Sequence, residues 1–241
     1  MKYLSTLSAI SATLIAISLS ACHITPTKSE KASGFMISEA QFEQLFPKRI
    51  PFYTFAGLQE AIKAYPKFGN FGSDAENKRE VAAFLANIMH ESIELQAINE
   101  LDKSVHDHYC NDKQGVPCAP GKQYFGRGPI QLSWNFNYAL AGKALGLDLL
   151  NDPDMVSRDP AVAWKTALWY WMEIKGSGPL PSHVAMKQKL GFGETVRSIN
   201  GALECSKPVD NIGYKQQQMR IKNYLKITKM LEVDPDNYTA C

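Results

Sequence analysis

Net charge is almost missing from this 241-residue chain: 26 lysines and arginines face 24 acidic residues, leaving +2. So even a balance gives no electrostatic footprint for nucleic acid or a strongly charged partner. Cysteine is sparse, five in all, and no two have the C-x-x-C spacing of a zinc or redox site. His90-Glu91-Ser92-Ile93-Glu94 opens like an H-E-x-x-H zinc helix, but Glu94 stands where the second His belongs, which excludes that pattern. Ser133 has no nucleophile-elbow glycines around it, which excludes a serine hydrolase of that kind. Strand signals are scarce and no internal repeat is visible. No metal and no cofactor is expected.

What the chain does have begins at its start. Lys2 is followed by an uncharged, apolar or small stretch from Leu4 to Leu19, then Leu19-Ser20-Ala21-Cys22. This reads as an export signal over residues 1–21. A Cys directly after small residues resembles a bacterial lipobox, so Cys22 is the expected lipidation site and the first mature residue. The apolar stretch is short of the roughly 20 residues a spanning helix needs, and it is rich in Ser, Thr and Ala. Acyl chains, not a spanning helix, would then hold the protein at the membrane. Residues 22–36 are small and polar and read as the lipidated Cys with a flexible leash. Residues 37–241 are enough for one domain with its own core.

Four cysteines remain, at 110, 118, 205 and 241. In an exported chain they imply two disulfides. Three pairings are possible. The one expected joins Cys110 to Cys118 around a short loop holding Gly115 and Pro117, and Cys205 to the C-terminal Cys241.

The body reads as helix and loop. Ser38 with Gln41 forms a capping box before Phe42, Leu45 and Phe46. A short helix is expected over 57–64, ahead of Pro66. Val81, Phe84, Leu85 and Ile88 carry the helical period over 80–95. Asn135 to Leu145 is expected to end at Gly146, and Asp159-Pro160 opens a helix carrying Trp164, Leu168 and Trp171. A last helix is expected over 210–231, with Ile221, Tyr224, Leu225 and Thr228 on one face. The fold class is mainly α, with long loops stapled by disulfides.

Two carboxylates stand out, Glu91 and Glu100. On a wheel of about 100° per residue, Glu91 falls at the edge of the apolar stripe, where partial desolvation favours the protonated form of a general acid. Glu100 lies nine residues on, about half a turn out of phase if the helix continued. For both to face one cleft, the helix must stop near Leu95. An acid and a base on facing walls suit hydrolysis of a glycosidic bond by direct attack of water.

At this point a resemblance is plain. Phe84-Leu85-Ala86-Asn87-Ile88-Met89-His90-Glu91-Ser92 resembles the F-x-A-x-x-S-H-E-T segment of glycoside hydrolase family 19 chitinases. Tyr109-Cys110 through Pro117-Cys118-Ala119-Pro120-Gly121-Lys122 to Tyr124-Phe125-Gly126-Arg127-Gly128-Pro129-Ile130-Gln131-Leu132-Ser133 is similar to their signature almost letter for letter. Asn135-Phe136-Asn137-Tyr138 and Ile199-Asn200-Gly201-Ala202-Leu203-Glu204-Cys205 continue it in order.

The resemblance covers about residues 38–241 and implies a lysozyme-like α-helical fold and inverting endo-hydrolysis of chitin. It implies Glu91 as the acid, Glu100 as the base and Ser133 as a holder of the attacking water. Gln131, Asn137 and Asn200 match sugar-binding positions, and Tyr124 is a further candidate on the cleft wall. The partner it implies is chitin or a related amino-sugar polymer, met by a monomer.

Departures from the pattern matter. Asp102, two residues beyond Glu100, is a rival base. Asn211 stands where the family usually has an Arg that pairs with the acid, so Glu204 is expected to turn to Lys215 or Arg197. Phe136 lacks the hydroxyl of the usual Tyr. Residues 23–36 lack the cysteines of a chitin-binding module. Two other functions remain open: hydrolysis of peptidoglycan glycan strands, and glycan binding without catalysis.

Overall fold

The computed structural model describes residues 37–112 and 115–241. The residues expected to form an export signal, Cys22 and the expected leash lie outside the described residues. The domain is helical, as expected: nine α-helices and one 3-10 turn among the described residues, with only isolated bridges between extended segments.

Local chemistry sets where the helices begin. Ser38 caps α1 (Glu39–Leu45) in the expected capping box with Gln41. Thr54 caps α2 (Phe55–Lys63), two residues ahead of the expected start. A second capping box, Ser73 with Glu76, starts α3 (Asp74–Glu91) a turn and a half earlier than its apolar period suggested. The α4 helix (Asn135–Leu145) ends on left-handed Gly146, as read from sequence. After the short α5 (Met155–Arg158), Asp159 and Pro160 open α6 (Pro160–Glu173). Three helices were not expected: α5, α7 (Ser182–Lys187) and α8 (Phe192–Glu204). Finally comes α9 (Ile212–Met230). Its expected inner face needs one correction: Tyr224 and Thr228 are buried, but Leu225 is exposed.

The core forms around α3 and α6. Phe84, Leu85 and Ile88 of α3 and Trp164, Leu168 and Trp171 of α6 are all fully buried. The α3 helix packs on α9 and α2 packs on α6, while α8 lies against both α7 and α9. Glu80 is sealed inside, but it accepts hydrogen bonds from Gly69 N–H (2.7 Å) and Trp171 Nε1 (3.0 Å) and lies 2.5 Å from His183 Nδ1. A buried carboxylate persists only with such partners.

Both expected disulfides are present, Cys110–Cys118 and Cys205–Cys241. The second ties the chain's last residue to the end of α8, and Gln217 of α9 donates to the Cys241 sulfur at 3.2 Å.

One feature of the backbone positions the site. The α3 helix stops at Glu91, short of the expected Leu95. Ser92 turns the chain: its buried hydroxyl donates to Ile88 O (2.7 Å) and accepts from Leu95 N (2.9 Å). Ile93, Glu94 and Leu95 then take φ of 52°, 56° and 62° in succession. Left-handed geometry costs non-glycine residues roughly 1–2 kcal/mol each. The Ser92 bonds and the full burial of Leu95 offset that cost. The reversal carries the chain from Glu91 back towards Glu100.

Candidate active site

Residues after the reversal are pinned to the glycine-rich loop. Glu100 N–H donates to Gly126 O (2.7 Å) and Gly128 N–H to Ile98 O (2.8 Å). That loop folds back through paired Arg127–Leu132 backbone bonds of 3.1 and 2.9 Å. Arg127 stiffens it from within. Its guanidinium lies 3.6 Å from the centre of the Phe125 ring and donates to Gln123 O (2.9 Å), Tyr138 Oη (3.0 Å) and Asp154 Oδ1 (2.7 Å). The wall that Gly126–Ser133 presents is therefore rigid.

These elements enclose an open cleft of about 460 Å³. Glu91, Glu100, Gln131, Ser133, Asn137 and Asn200 all line it, so six of the seven expected cleft residues meet in one place. Tyr124 is the correction. It is buried, its hydroxyl donates to Leu150 O (2.9 Å) and accepts from Ala119 N (2.9 Å), and it braces the loop instead of facing the cleft. Asp102 also stays out of the cleft. It is exposed and caps the 3-10 turn Lys103–His108, accepting from Ser104 N (2.9 Å) and Oγ (2.5 Å). Those bonds from Ser104 hold its carboxyl below the usual range.

The two walls differ chemically. On the first, Arg220 is fully buried and shared by two acids: it bonds Glu91, and it grips Glu204 through Nε and Nη2, both at 2.8 Å. Its remaining donor meets Asn87 Oδ1 at 3.0 Å. Burial opposes the Arg220 charge, but Glu91 and Glu204 outweigh it and raise the group's proton affinity. The partner expected for Glu204 was Lys215 or Arg197. Arg220 takes that place, while Arg197 bonds Glu194 at 2.9 Å. Asn211, where an Arg was missed, caps α9 by accepting from Gly213 N–H at 2.8 Å. Asn200 departs from helical geometry inside α8 and donates to Glu204 Oε1 at 2.8 Å.

On the second wall Tyr109 donates to Glu100 Oε2 at 3.3 Å. Burial, then the Glu100 charge, pushes the Tyr109 phenol up, so it stays a donor. His106 stacks on Phe125 (3.8 Å) and lies 3.0 Å from Glu100 O. Ser133 donates to Gln131 O (2.9 Å), which leaves its oxygen free to accept. Gln131 braces the wall through Ile98 O (3.1 Å) and Gly128 O (3.0 Å), and Asn137 donates to Ser133 O (2.9 Å). Trp134, stacked near Phe136, adds an aromatic surface to the cleft. Sequence reasoning missed Arg220, Tyr109, Trp134 and Tyr170. Arg220 carried a signal: Gly213, Gln217, Arg220 and Tyr224 repeat at helical spacing, and all four are buried.

A glycosidic bond needs a proton for its leaving oxygen and a base for the incoming water, and a cleft lined by two carboxylates has the groups for both. The domain is of the glycoside hydrolase class. More narrowly, the chain belongs to the class I chitinase family, family 19 of the glycoside hydrolases, whose family pattern matches residues 36–241.

Solved relatives agree with the fold. A bacterial family 19 chitinase is 52% identical, with a TM-score of 0.81 over 86% of this chain and 100% of that one. Chitinase C from Streptomyces griseus is 50% identical, with a TM-score of 0.81 over 86% of this chain and 81% of that one. Among plant proteins, the acidic endochitinase of Dioscorea japonica is 44% identical over 79% of this chain and 72% of its own. Endochitinase B of Zea mays is 44% identical over 79% of this chain and 63% of its own.

Proposed function

We propose that this chain is an endochitinase that hydrolyses β-1,4-linked N-acetylglucosamine polymers with inversion, with Glu91 as general acid and Glu100 as general base. The observation that carries this reading is the single cleft lined by both glutamates, which the left-handed turn at 93–95 makes possible. Glu91 gives its proton to the leaving oxygen, and Arg220 then holds the carboxylate that forms. On the other wall Glu100 takes a proton from water, oriented by the free lone pairs of Ser133. Gln131, Asn137 and Asn200 contact the sugars.

Direct attack by water from the Glu100 side turns a β-linkage into an α-anomer. Proton NMR in the first minutes of chitin-oligomer digestion should show the α-anomer first. A retaining site would need its carboxyls about 5–5.5 Å apart, or help from the substrate's acetamide. Initial β-anomer would reject the inverting site. Peptidoglycan offered in parallel decides between substrates: clearing of peptidoglycan with no sugar from chitin would make the chain a wall hydrolase, and binding of either without turnover would make it a glycan-binding protein.

We further propose an exported bacterial lipoprotein, anchored through Cys22 at the outer membrane or cell surface and working as a monomer. Leu19-Ser20-Ala21-Cys22 behind an uncharged apolar run supports the anchor, and residues 22–36 supply the leash. Cys22→Ser should leave the signal uncut or release the protein from the membrane fraction. A Cys22→Ser protein that is still processed and still membrane-bound refutes the anchor.

A further inference from the structure

One polar group in the cleft has no task in the reaction above. Tyr170 of α6 lines the same cleft as Glu91, Ile199 and Asn200, close enough to Glu91 to feel its charge. Other buried tyrosines in the domain spend their hydroxyls on protein oxygens: Tyr53 on Ala97 O (3.0 Å), Tyr124 on Leu150 O (2.9 Å), Tyr138 on Phe125 O (2.9 Å) and Tyr224 on Asp236 Oδ2 (2.7 Å). That is the usual fate of a buried phenol. Tyr170 differs. Its hydroxyl bonds no described residue, yet it is not among the sealed, unpartnered atoms of the core. It therefore keeps contact with solvent, on a residue that lines the cleft.

The surroundings hold it there. The Tyr170 ring packs edge-on against Trp169, centroids 6.3 Å apart. Gly176 leaves room for both the Ser198 backbone and the hydroxyl: a Cβ at 176 would lie 2.0 Å from Ser198 O and 2.4 Å from the Tyr170 hydroxyl, and the backbone there has a φ of +52°. A side chain at 176 would meet the Ser198 backbone as well as the phenol.

We propose that the Tyr170 hydroxyl is a specificity-determining contact, donating a hydrogen bond to the N-acetylglucosamine unit on the leaving-group side of the scissile bond. The side follows from the neighbour. Glu91 protonates the leaving oxygen, so a donor beside Glu91 meets the sugar that carries that oxygen; the inference rests on the assignment of Glu91 above. Burial, then the Glu91 charge, pushes the Tyr170 phenol up to about 12, so at working pH it keeps its proton and can only gain from an acceptor. The sugar offers an acetamide carbonyl and ring hydroxyls. An unbound phenol in this half-closed place has incompletely replaced its water contacts, and a ligand oxygen corrects that.

The test compares the wild-type chain with Tyr170→Phe on a chitin hexasaccharide. Loss of one neutral hydrogen bond made equally in ground and transition states should raise KM by about three- to tenfold and leave kcat within about twofold. The thermal midpoint should not move, because no protein bond is removed. The cleavage pattern should shift, since the hexasaccharide loses a hold on one side of the cut. An unchanged KM and product pattern overturns the proposal. So does a joint fall in kcat and thermal midpoint, which would make Tyr170 a packing residue. If the wild type releases no sugar from chitin, the proposed function fails instead. Calorimetric titration of the same hexasaccharide into both proteins then decides the contact: weaker binding by Tyr170→Phe sustains it, and equal binding refutes it.

Discussion

Glu91→Gln and Glu100→Gln should each lower chitin turnover by about 10²–10⁴-fold, the usual weight of a positioned acid or base. The fold should survive both changes. In Glu91→Gln the amide keeps the shape, and Arg220 retains the Glu204 carboxylate through two bonds of 2.8 Å. Glu100 sits in the half-buried wall of an open cleft, and its position is set by backbone bonds that the side chain does not make. Circular dichroism and thermal melts of both variants should overlay the wild type while the hydrolysis rate collapses. Asp102→Asn is the discriminating control. Its carboxylate is turned to Ser104 outside the cleft, so activity should stay near normal. Near-normal turnover in Glu100→Gln with a dead Asp102→Asn would move the base to Asp102.

Removal of Arg220 should have the largest effect on stability. Arg220 and Glu204 are both fully buried, and Arg220 is the cation that Glu204 bonds. Taking away one partner of a buried pair leaves an uncompensated charge, at a cost of about 3–5 kcal/mol. For a domain of this size each kcal/mol moves the melting midpoint by about 2–4 °C, so Arg220→Gln should melt roughly 6–20 °C early. Arg220→Lys should rescue only part of this, because an ammonium cannot reproduce the fork that reaches Glu204, Glu91 and Asn87 at once. Adding Glu204→Gln to Arg220→Gln should recover a measurable share of the loss, since the stranded charge disappears. An Arg220→Gln protein melting within about a degree of wild type would show that the buried network contributes little.

Arg220 also marks the limit of what the linear chain discloses. Asn211 stands where a cation was expected, and the neighbouring cations in sequence, Lys215 and Arg197, were natural substitutes. The actual partner lies 16 residues from Glu204 and 129 from Glu91, reached only because α9 packs on both α3 and α8. Tyr124 shows the reverse failure. Its place in the motif suggested the cleft, but its hydroxyl satisfies backbone groups of two loops, and such bookkeeping depends on where those loops lie. The missed helix α8 has a local cause. Gly191 and Gly193 flank its first residue and no side chain caps it, so its start signal is weak, although its apolar face is well patterned.

The sequence by itself determined the family, the fold class, the cysteine pairs and six of the residues that meet in the cleft. The fold class rests on short-range chemistry, namely apolar period, caps and turn residues, while the family and the cleft residues rest on ordered motifs that resemble a known family. Tertiary structure alone decided how the two glutamates come together. The period of α3 allowed Glu91 at the edge of its stripe, but three left-handed residues, none of them glycine, could not be foreseen from propensity, which disfavours them. They are held by the Ser92 hydroxyl and by the burial of Leu95, and burial is a property of the whole packed domain. Packing also decided which cation serves Glu91, because a charge removed from water takes whichever partner the surrounding helices bring within bonding distance.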